Sequence, residues 1–309
     1  MVDQVKICEG ISDISDSYGG FLIDQWGTLH NGTHVFDNVI ATLENLKKRG
    51  KQIILISNSG KRADDNEARL KKLGIDKKLF DHVVTSAETT WRSLSERNQA
   101  QFQNLGEKYF LMNRLDDLSL TNDLDDLAMT DDIQEADFIL LTGSDVPRKT
   151  MENYYEPLLK EASRRHMRMI CANPEKTITI DNQDYTGSGE IARRYEECGG
   201  VVTYIGKPFP SIFQYALTLF HDLYPSQVCV IGDSLANDIR GAKYLDMDCA
   251  LIANGVHKGS FAKVQNRSDI HKMFKVLGKN YGVEPTYFIP KFHWGRELPD
   301  RKNRRKNEK

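Results

Sequence analysis

Gly20-Phe21-Leu22-Ile23-Asp24-Gln25-Trp26-Gly27-Thr28-Leu29 is the stretch on which the fold turns. Three apolar residues run without interruption into a carboxylate, and a glycine follows three positions later. A strand half-exposed to water would alternate apolar and polar residues; a continuous run fits a strand buried on both faces, the habit of parallel sheets covered by helices. Gln52-Ile53-Ile54-Leu55-Ile56-Ser57 and Gln227-Val228-Cys229-Val230-Ile231-Gly232-Asp233 repeat the pattern, each ending in small or polar residues. Between the first two runs, 38–49 carries Val39, Leu43 and Leu46 on one helical face and stops at Gly50, a glycine C-cap signal. Strand, helix, strand in that order reads as a right-handed crossover. The unit recurs through a helix at 64–73, Gly74 and the strand His82-Val83-Val84-Thr85.

The middle of the chain has a different texture. From Asp116 to Asp137 it holds nine acidic residues and no basic one, which reads as a solvated surface loop. Strands are expected at 138–142 and 168–172, with helices at 152–165 and 190–197, enough α/β material for a second unit. From Val201 the first texture returns, with Gly206-Lys207-Pro208, a helix expected over 212–223, and the strand ending at Asp233.

Composition removes several function classes. The 309 residues carry a formal net charge of −2, whereas a phosphate-backbone binder normally shows a basic excess, so nucleic acid is a poor partner. The basic excess that does exist is local: 290–309 holds eight Lys/Arg against three Asp/Glu, and its final ten residues read as a solvated tail. No apolar run approaches the ~18 residues of a membrane span, and the N-terminus shows no basic-then-apolar signal, so a cytoplasmic protein is expected. Cys8, Cys171, Cys198, Cys229 and Cys249 lie at least twenty residues apart, which suits neither a disulfide framework nor a zinc site and predicts reduced thiols. The scattered glycine pairs make no dinucleotide fingerprint.

Four points carry chemistry. Asp24 follows a buried strand, where the carboxyl ends of parallel strands gather and ligands bind; a carboxylate there can act as a nucleophile. Ser57-Asn58-Ser59 ends the second strand with hydroxyl and N–H groups suited to phosphate oxygens. Lys207 offers a cation to offset developing charge. Asp233 and Asp238 stand five residues apart at a strand end and, with Asp24, form a hard-oxygen set suited to Mg²⁺. Each has a plainer reading: a helix cap for Asp24, turn formers for Ser57 and Asn58, a surface lysine for Lys207, and a favourable helix-start charge for Asp238.

Taken in order, Asp-x-x-Gly-Thr-Leu, the strand-ending Ser-Asn, Gly-Lys-Pro and Gly-Asp-Ser-x-x-x-x-Asp-Ile resemble the haloacid dehalogenase superfamily of phosphohydrolases. The long insert before Lys207 resembles its class II cap. Leu29-His30-Asn31-Gly32, Cys171-Ala-Asn-Pro174 and Gly187-x-Gly189-Glu-Ile-Ala192 resemble a class IIA subgroup, similar to sugar-phosphate, nitrophenyl-phosphate and pyridoxal-phosphate phosphatases. The resemblance implies a doubly wound parallel-sheet α/β core over 1–86 and 203–309, with an inserted α/β cap over 87–202. It implies Asp24 as nucleophile and Mg²⁺ ligand, with the Trp26 backbone carbonyl, Asp233 and Asp238 completing the protein's share of the metal site. Ser57 and Asn58, with Ser59, would hold phosphoryl oxygens, Lys207 would offset their charge, and Asn173 would stand in the cap's substrate-facing loop, beside Glu175 where an Asp is common. The partner implied is a small phosphorylated metabolite; a homo-oligomer stays open.

The main departure is Trp26, where phosphatases of this superfamily generally carry a second Asp that protonates the leaving group. An indole N–H is no acid, and losing a general acid costs ~10²–10⁴ in rate. Dehalogenases of the superfamily carry an aromatic residue here but lack the metal carboxylates that this chain keeps, so phosphoryl chemistry ranks above dehalogenation. A non-catalytic phosphate-ligand or partner-binding protein is the alternative that Trp26 favours. The expectation for Trp26 itself is a packing residue closing the floor of the site, and for His30 a structural histidine.

Overall fold

In the computed structural model, residues 5–180, 183–264 and 266–295 are described. The final ten residues, read above as a tail, lie outside them. The apolar runs read in the sequence become β2 (Gly20–Asp24), β3 (Gln52–Ser57), β4 (His82–Thr85) and β12 (Val228–Gly232), joined by three strands not read there, β1 (Lys6–Ile7), β13 (Asp248–Ile252) and β14 (Tyr287–Ile289). They form one seven-stranded sheet in the order β1-β14-β13-β12-β2-β3-β4. Every residue of β2 and β12 is buried, as the unbroken apolar runs require. A second sheet orders β5 (Lys108–Met112), β6 (Ala128–Thr130), β7 (Phe138–Leu141), β8 (Arg168–Cys171) and β11 (Val201–Tyr204) as β11-β8-β7-β5-β6, every pairing parallel. A hairpin of β9 (Thr177–Ile180) and β10 (Gln183–Thr186) completes the set.

The second sheet shows why uninterrupted apolar strands are stable. Ile139 and Leu141 of β7 pack with Leu159 and Tyr195 on one face, while Phe138 and Leu140 pack with Leu94 and Phe102 on the other. Successive side chains point to opposite faces, so a four-residue apolar strand feeds two cores at once.

Contacts group the chain into two units: Met1–Leu55, Lys71–His82 and Phe220–Lys309 in the first; Ile56–Leu70 and Val83–Leu219 in the second. Sheet membership divides it differently, with β4 ending at Thr85 and the five-stranded sheet running from Lys108 to Tyr204.

The helices follow the sequence with instructive shifts. Val39–Lys48 buries Val39, Leu43 and Leu46, and Gly50 takes a positive φ of 71°. The expected helix at 152–165 is instead a π turn, Met151–Tyr155, followed by the α-helix Glu156–Arg164. Pro157 has no N–H to give to the turn before it, which is where the regular ladder breaks. The helix expected to reach residue 223 stops at Leu217, where the Thr218 hydroxyl bonds back to the Tyr215 carbonyl (2.7 Å). The acidic run holds one short strand, β6. All five cysteines are free, and burial pushes the Cys171 thiol up to about 12 and that of Cys229 well above its ordinary value. Such thiols are inert. Among the described residues no helix is long and apolar enough to cross a membrane.

Candidate active site

Strand register builds the carboxylate cluster of the first unit. β12 runs parallel to β2 with Val228 opposite Gly20 and Ile231 opposite Ile23, so the ladder brings Gly232 level with Asp24 and Asp233 one step beyond. β2 has β3 on one side and β12 on the other. The chain therefore departs in opposite directions around β2, the switch point at which α/β sheets bind ligands. Asp24, Asp233 and Asp238 are all buried, at 5%, 2% and 1% exposure. One oxygen from each lies within 4.8 Å of the others.

Glycines and main-chain donors hold these carboxylates. Val256 N–H donates to Asp233 Oδ2 (2.7 Å). A Cβ on Gly27 would fall 2.1 Å from that oxygen and one on Gly255 1.9 Å from it, so backbone closes on Asp233 from two sides. Gly27 also has φ +84°, a conformation in which a side chain is strained. Asp238 lies in the π turn Leu235–Ile239, capped by the Ser234 hydroxyl, which accepts from Asn237 N–H (3.2 Å). Its Oδ2 accepts from Ser234 N–H (3.1 Å), and a Cβ on Gly232 would lie 2.1 Å from its Cγ. Leu235 N–H donates to Nε2 of the buried His257 (3.2 Å). That ring is therefore neutral there, and burial lowers its pKa.

Do these residues fit a divalent cation? The donor set is three carboxylates, the hard oxygens that Mg²⁺ takes. At this spacing each pair of ionised groups would repel by at least about 3.5 kcal/mol at an effective dielectric near 20, a cost that a cation among them reverses. The cradle is kept narrow by two glycines. The residues fit.

The second unit holds the remaining expected residues. Asn58 grips Lys207 by its backbone: Oδ1 accepts from Lys207 N–H (2.6 Å) and Nδ2 donates to the Lys207 carbonyl (2.9 Å). Nδ2 also donates to Glu175 Oε1 (2.8 Å). Gly206, at φ +121°, has Asn58 Oδ1 and the Pro174 ring where its Cβ would stand. Lys207 is 4% exposed. Asn173 Oδ1 accepts from Glu175 N–H (3.1 Å), shaping the loop that presents Glu175. Ser57 Oγ accepts from Ser59 N–H (3.2 Å) and keeps its own proton to donate. Ser59 is taken up in holding the loop: its carbonyl accepts from Ser86 Oγ and Ala87 N–H, and its hydroxyl from Lys61 N–H.

Two motifs read separately in sequence are two sides of one contact. A Cβ on Gly187 would meet the Glu175 carbonyl at 2.2 Å, and one on Gly189 the Pro174 carbonyl at 2.1 Å. Gly189 N–H donates to the Glu175 carbonyl (2.9 Å). The hairpin between them, β9 and β10, folds the chain back so that Gly187-x-Gly189 lies on Asn173-Pro174-Glu175. Glu175, Gly255 and His257 were not singled out as site residues from sequence; their partners lie 117, 22 and 22 residues away, which no local pattern encodes.

Trp26 departs from its expectation. It does not close a floor: it is 58% exposed. The position against Asp233 is taken by Gly27 backbone, while the Trp26 ring edge lies on Gly32. His30 is buried, and its Nδ1 accepts from Gly32 N–H (3.0 Å), a structural role.

Known proteins share this fold. A family profile described as haloacid dehalogenase-like hydrolase matches residues 21–118, and one described as HAD-hydrolase-like matches 204–273. An acid sugar phosphatase of Staphylococcus haemolyticus is 29% identical over 246 residues, 78% of this chain and 87% of that protein. The 5'-nucleotidase YutF of Bacillus subtilis is 26% identical over 246 residues, 78% of this chain and 90% of that protein. The crystal structure of a haloacid dehalogenase-like hydrolase from Brucella suis superposes with a TM-score of 0.74 at 25% identity, covering 92% of this chain and 99% of that one. The chain belongs to the haloacid dehalogenase superfamily of hydrolases, with a class IIA-like architecture.

Proposed function

We propose that this superfamily member is a Mg²⁺-dependent phosphohydrolase that cleaves small phosphate esters through an aspartyl-phosphate on Asp24. The observation that carries the reading is the cluster of three buried carboxylates at the switch point. Asp24, Asp233 and Asp238, with the Trp26 carbonyl, would hold the ion, which when bound neutralises the carboxylates and the phosphoryl oxygens. An Asp24 carboxylate oxygen attacks phosphorus, the ester P–O bond breaks, and the alcohol oxygen leaves with the bonding pair. Water then attacks the same phosphorus, the bond from Asp24 to phosphorus breaks with its pair returning to the carboxylate, and inorganic phosphate departs; solvent protonates the leaving alcohol oxygen and takes the proton lost by the attacking water. Ser57 and the Asn58 backbone hold phosphoryl oxygens, and Lys207, fixed at its backbone by Asn58, offsets their charge. The core is assigned to 1–86 and 203–309 and the cap to 87–202, with Asn173 in the cap's substrate-facing loop and closure excluding bulk water.

No carboxylate stands at position 26 to protonate the leaving group. Turnover is therefore slow, and acyl or aryl phosphates, whose leaving groups are weak bases, are preferred over alkyl phosphates by at least ~10²-fold. The same feature favours a second reading, a phosphate-ligand-binding protein without turnover. The experiment is a panel of phosphorylated metabolites and aryl phosphates, assayed with and without Mg²⁺, with Asp24→Asn as the blank. Mg²⁺-dependent release of phosphate that Asp24→Asn abolishes supports the enzyme; binding without release supports the second reading.

A further inference from the structure

Of the three tryptophans, Trp294 is 8% exposed, Trp91 lies half-buried under the Arg62 guanidinium (3.9 Å from its centroid), and Trp26 stands 58% exposed. An exposed indole is usually loose, but this one is held. Gly32, at φ +92°, leaves out the Cβ that would fall 2.2 Å from Trp26 Cζ3 and 2.8 Å from Cη2, so the ring edge rests directly on backbone. The His30 ring meets it edge-on, centroids 6.2 Å apart and planes at 87°. His30 is itself fixed by Gly32 N–H, and the turn beyond is tied by Asn31 Oδ1, which accepts from Thr33 N–H, the Thr33 hydroxyl and His34 N–H. Gly27 N–H donates to the His30 carbonyl (2.9 Å), closing the loop behind the indole. The residue before Gly27 is Trp26, and Gly27 backbone lies against Asp233. A rigid, exposed aromatic surface is thus carried by the residue next in the chain to the backbone that closes on the carboxylate.

We propose that Trp26 is a specificity-determining residue whose exposed indole stacks on the substrate, selecting phosphate esters whose alcohol carries a planar aromatic or heteroaromatic ring. This rests on the phosphohydrolase reading above and names its substrate class. An indole face favours an offset-stacked flat ring over a puckered aliphatic one of similar size. Because Gly32 and His30 already order the indole, little side-chain freedom is lost on binding. Stacking of this kind corresponds to about a twofold to tenfold gain in affinity.

The test compares benzylphosphonate with cyclohexylmethylphosphonate, binding measured by calorimetry in Mg²⁺ on the full chain. The two match in charge and approximate size and have no leaving group, so leaving-group basicity does not enter. The unmodified protein is expected to bind the benzyl compound about twofold to tenfold more tightly, with a change in the emission of the exposed indole. Trp26→Leu is expected to bring the ratio to about one, and Trp26→Phe to retain part of it; a ratio taken within each variant cancels any general change in phosphonate affinity. A ratio near one in the unmodified protein, or one that persists in Trp26→Leu, overturns the proposal. If methylphosphonate and inorganic phosphate bind while the ratio is one, the stacking role alone falls. If neither binds in Mg²⁺, the phosphohydrolase reading falls and the stacking role with it.

Discussion

The two units hold their polar residues by opposite means. In the first, Asp233 and Asp238 are positioned by what is missing: Gly27, Gly255 and Gly232 leave out the Cβ atoms that would occupy the carboxylate space. In the second, Lys207 is positioned by what is present, the Asn58 amide reading both polar groups of its backbone while Glu175 anchors the amide. A steric cradle tolerates no added atom, and the hydrogen bonds that accompany it here come from main-chain N–H groups, Val256 to Asp233 and Ser234 to Asp238. A side-chain clamp is the more mutable, but each partner removed leaves buried polar groups unsatisfied. The contrast teaches where each unit breaks.

The largest expected effect is at Asp24. Asp24→Asn is expected to lower phosphate release by ~10⁴-fold or more, as removal of a nucleophile does, in a colorimetric phosphate assay; residual turnover within tenfold of the unmodified protein would place the nucleophile elsewhere. Next comes Trp26→Asp, which restores an acid beside the cradle and is expected to raise turnover on alkyl phosphates by up to ~10²-fold. Equal rates before and after would remove the vacant-acid explanation.

The cradle itself is tested by Gly255→Ala, whose methyl group would stand 1.9 Å from Asp233 Oδ2. Calorimetric Mg²⁺ affinity is expected to fall about 10- to 100-fold, the usual scale for disturbing groups that support a metal ligand. Gly259→Ala, with nothing within 4 Å of its added Cβ, is the control and should bind normally. Equal affinities in the two variants would show that the cradle is not steric.

The clamp should fail through stability. Asn58→Ala leaves the Lys207 N–H and carbonyl without their amide partner and is expected to cost about 1–3 kcal/mol in denaturant unfolding. The smallest effect is at His257. Burial lowers its pKa below the ordinary 6.5, so as pH falls through that value the unfolded chain takes up the proton first and stability is lost. The loss is expected to be at most about 1.4 kcal/mol per pH unit between pH 6.5 and the lowered pKa. His257→Gln, which keeps an acceptor for Leu235 N–H, should flatten that slope; an unchanged slope would assign it to another group.

Much of this was legible in order along the chain. Unbroken apolar runs ending in Asp24, Ser57 and Asp233 encode buried strands and the carboxylates at their ends, because a strand's burial and its terminus are local properties. Asp233 and Asp238 likewise stay local, one directly after β12 and the other in the π turn Leu235–Ile239 that follows. The sequence by itself therefore determined the α/β class, the places of the most apolar strands, β2, β3, β7 and β12 among them, and the identity of the three acidic residues. Only the tertiary structure decided that Gly187-x-Gly189 lies on the Glu175 loop, that Asn58 serves Lys207, and that Gly255 closes on Asp233. It also decided that Trp26 faces water, with its ring edge on Gly32 and its neighbour His30 buried. The physical reason is separation: hydrophobic period and chain stops act over a few residues, whereas close approach of backbone to a side chain depends on segments that meet only when the sheet has set their register.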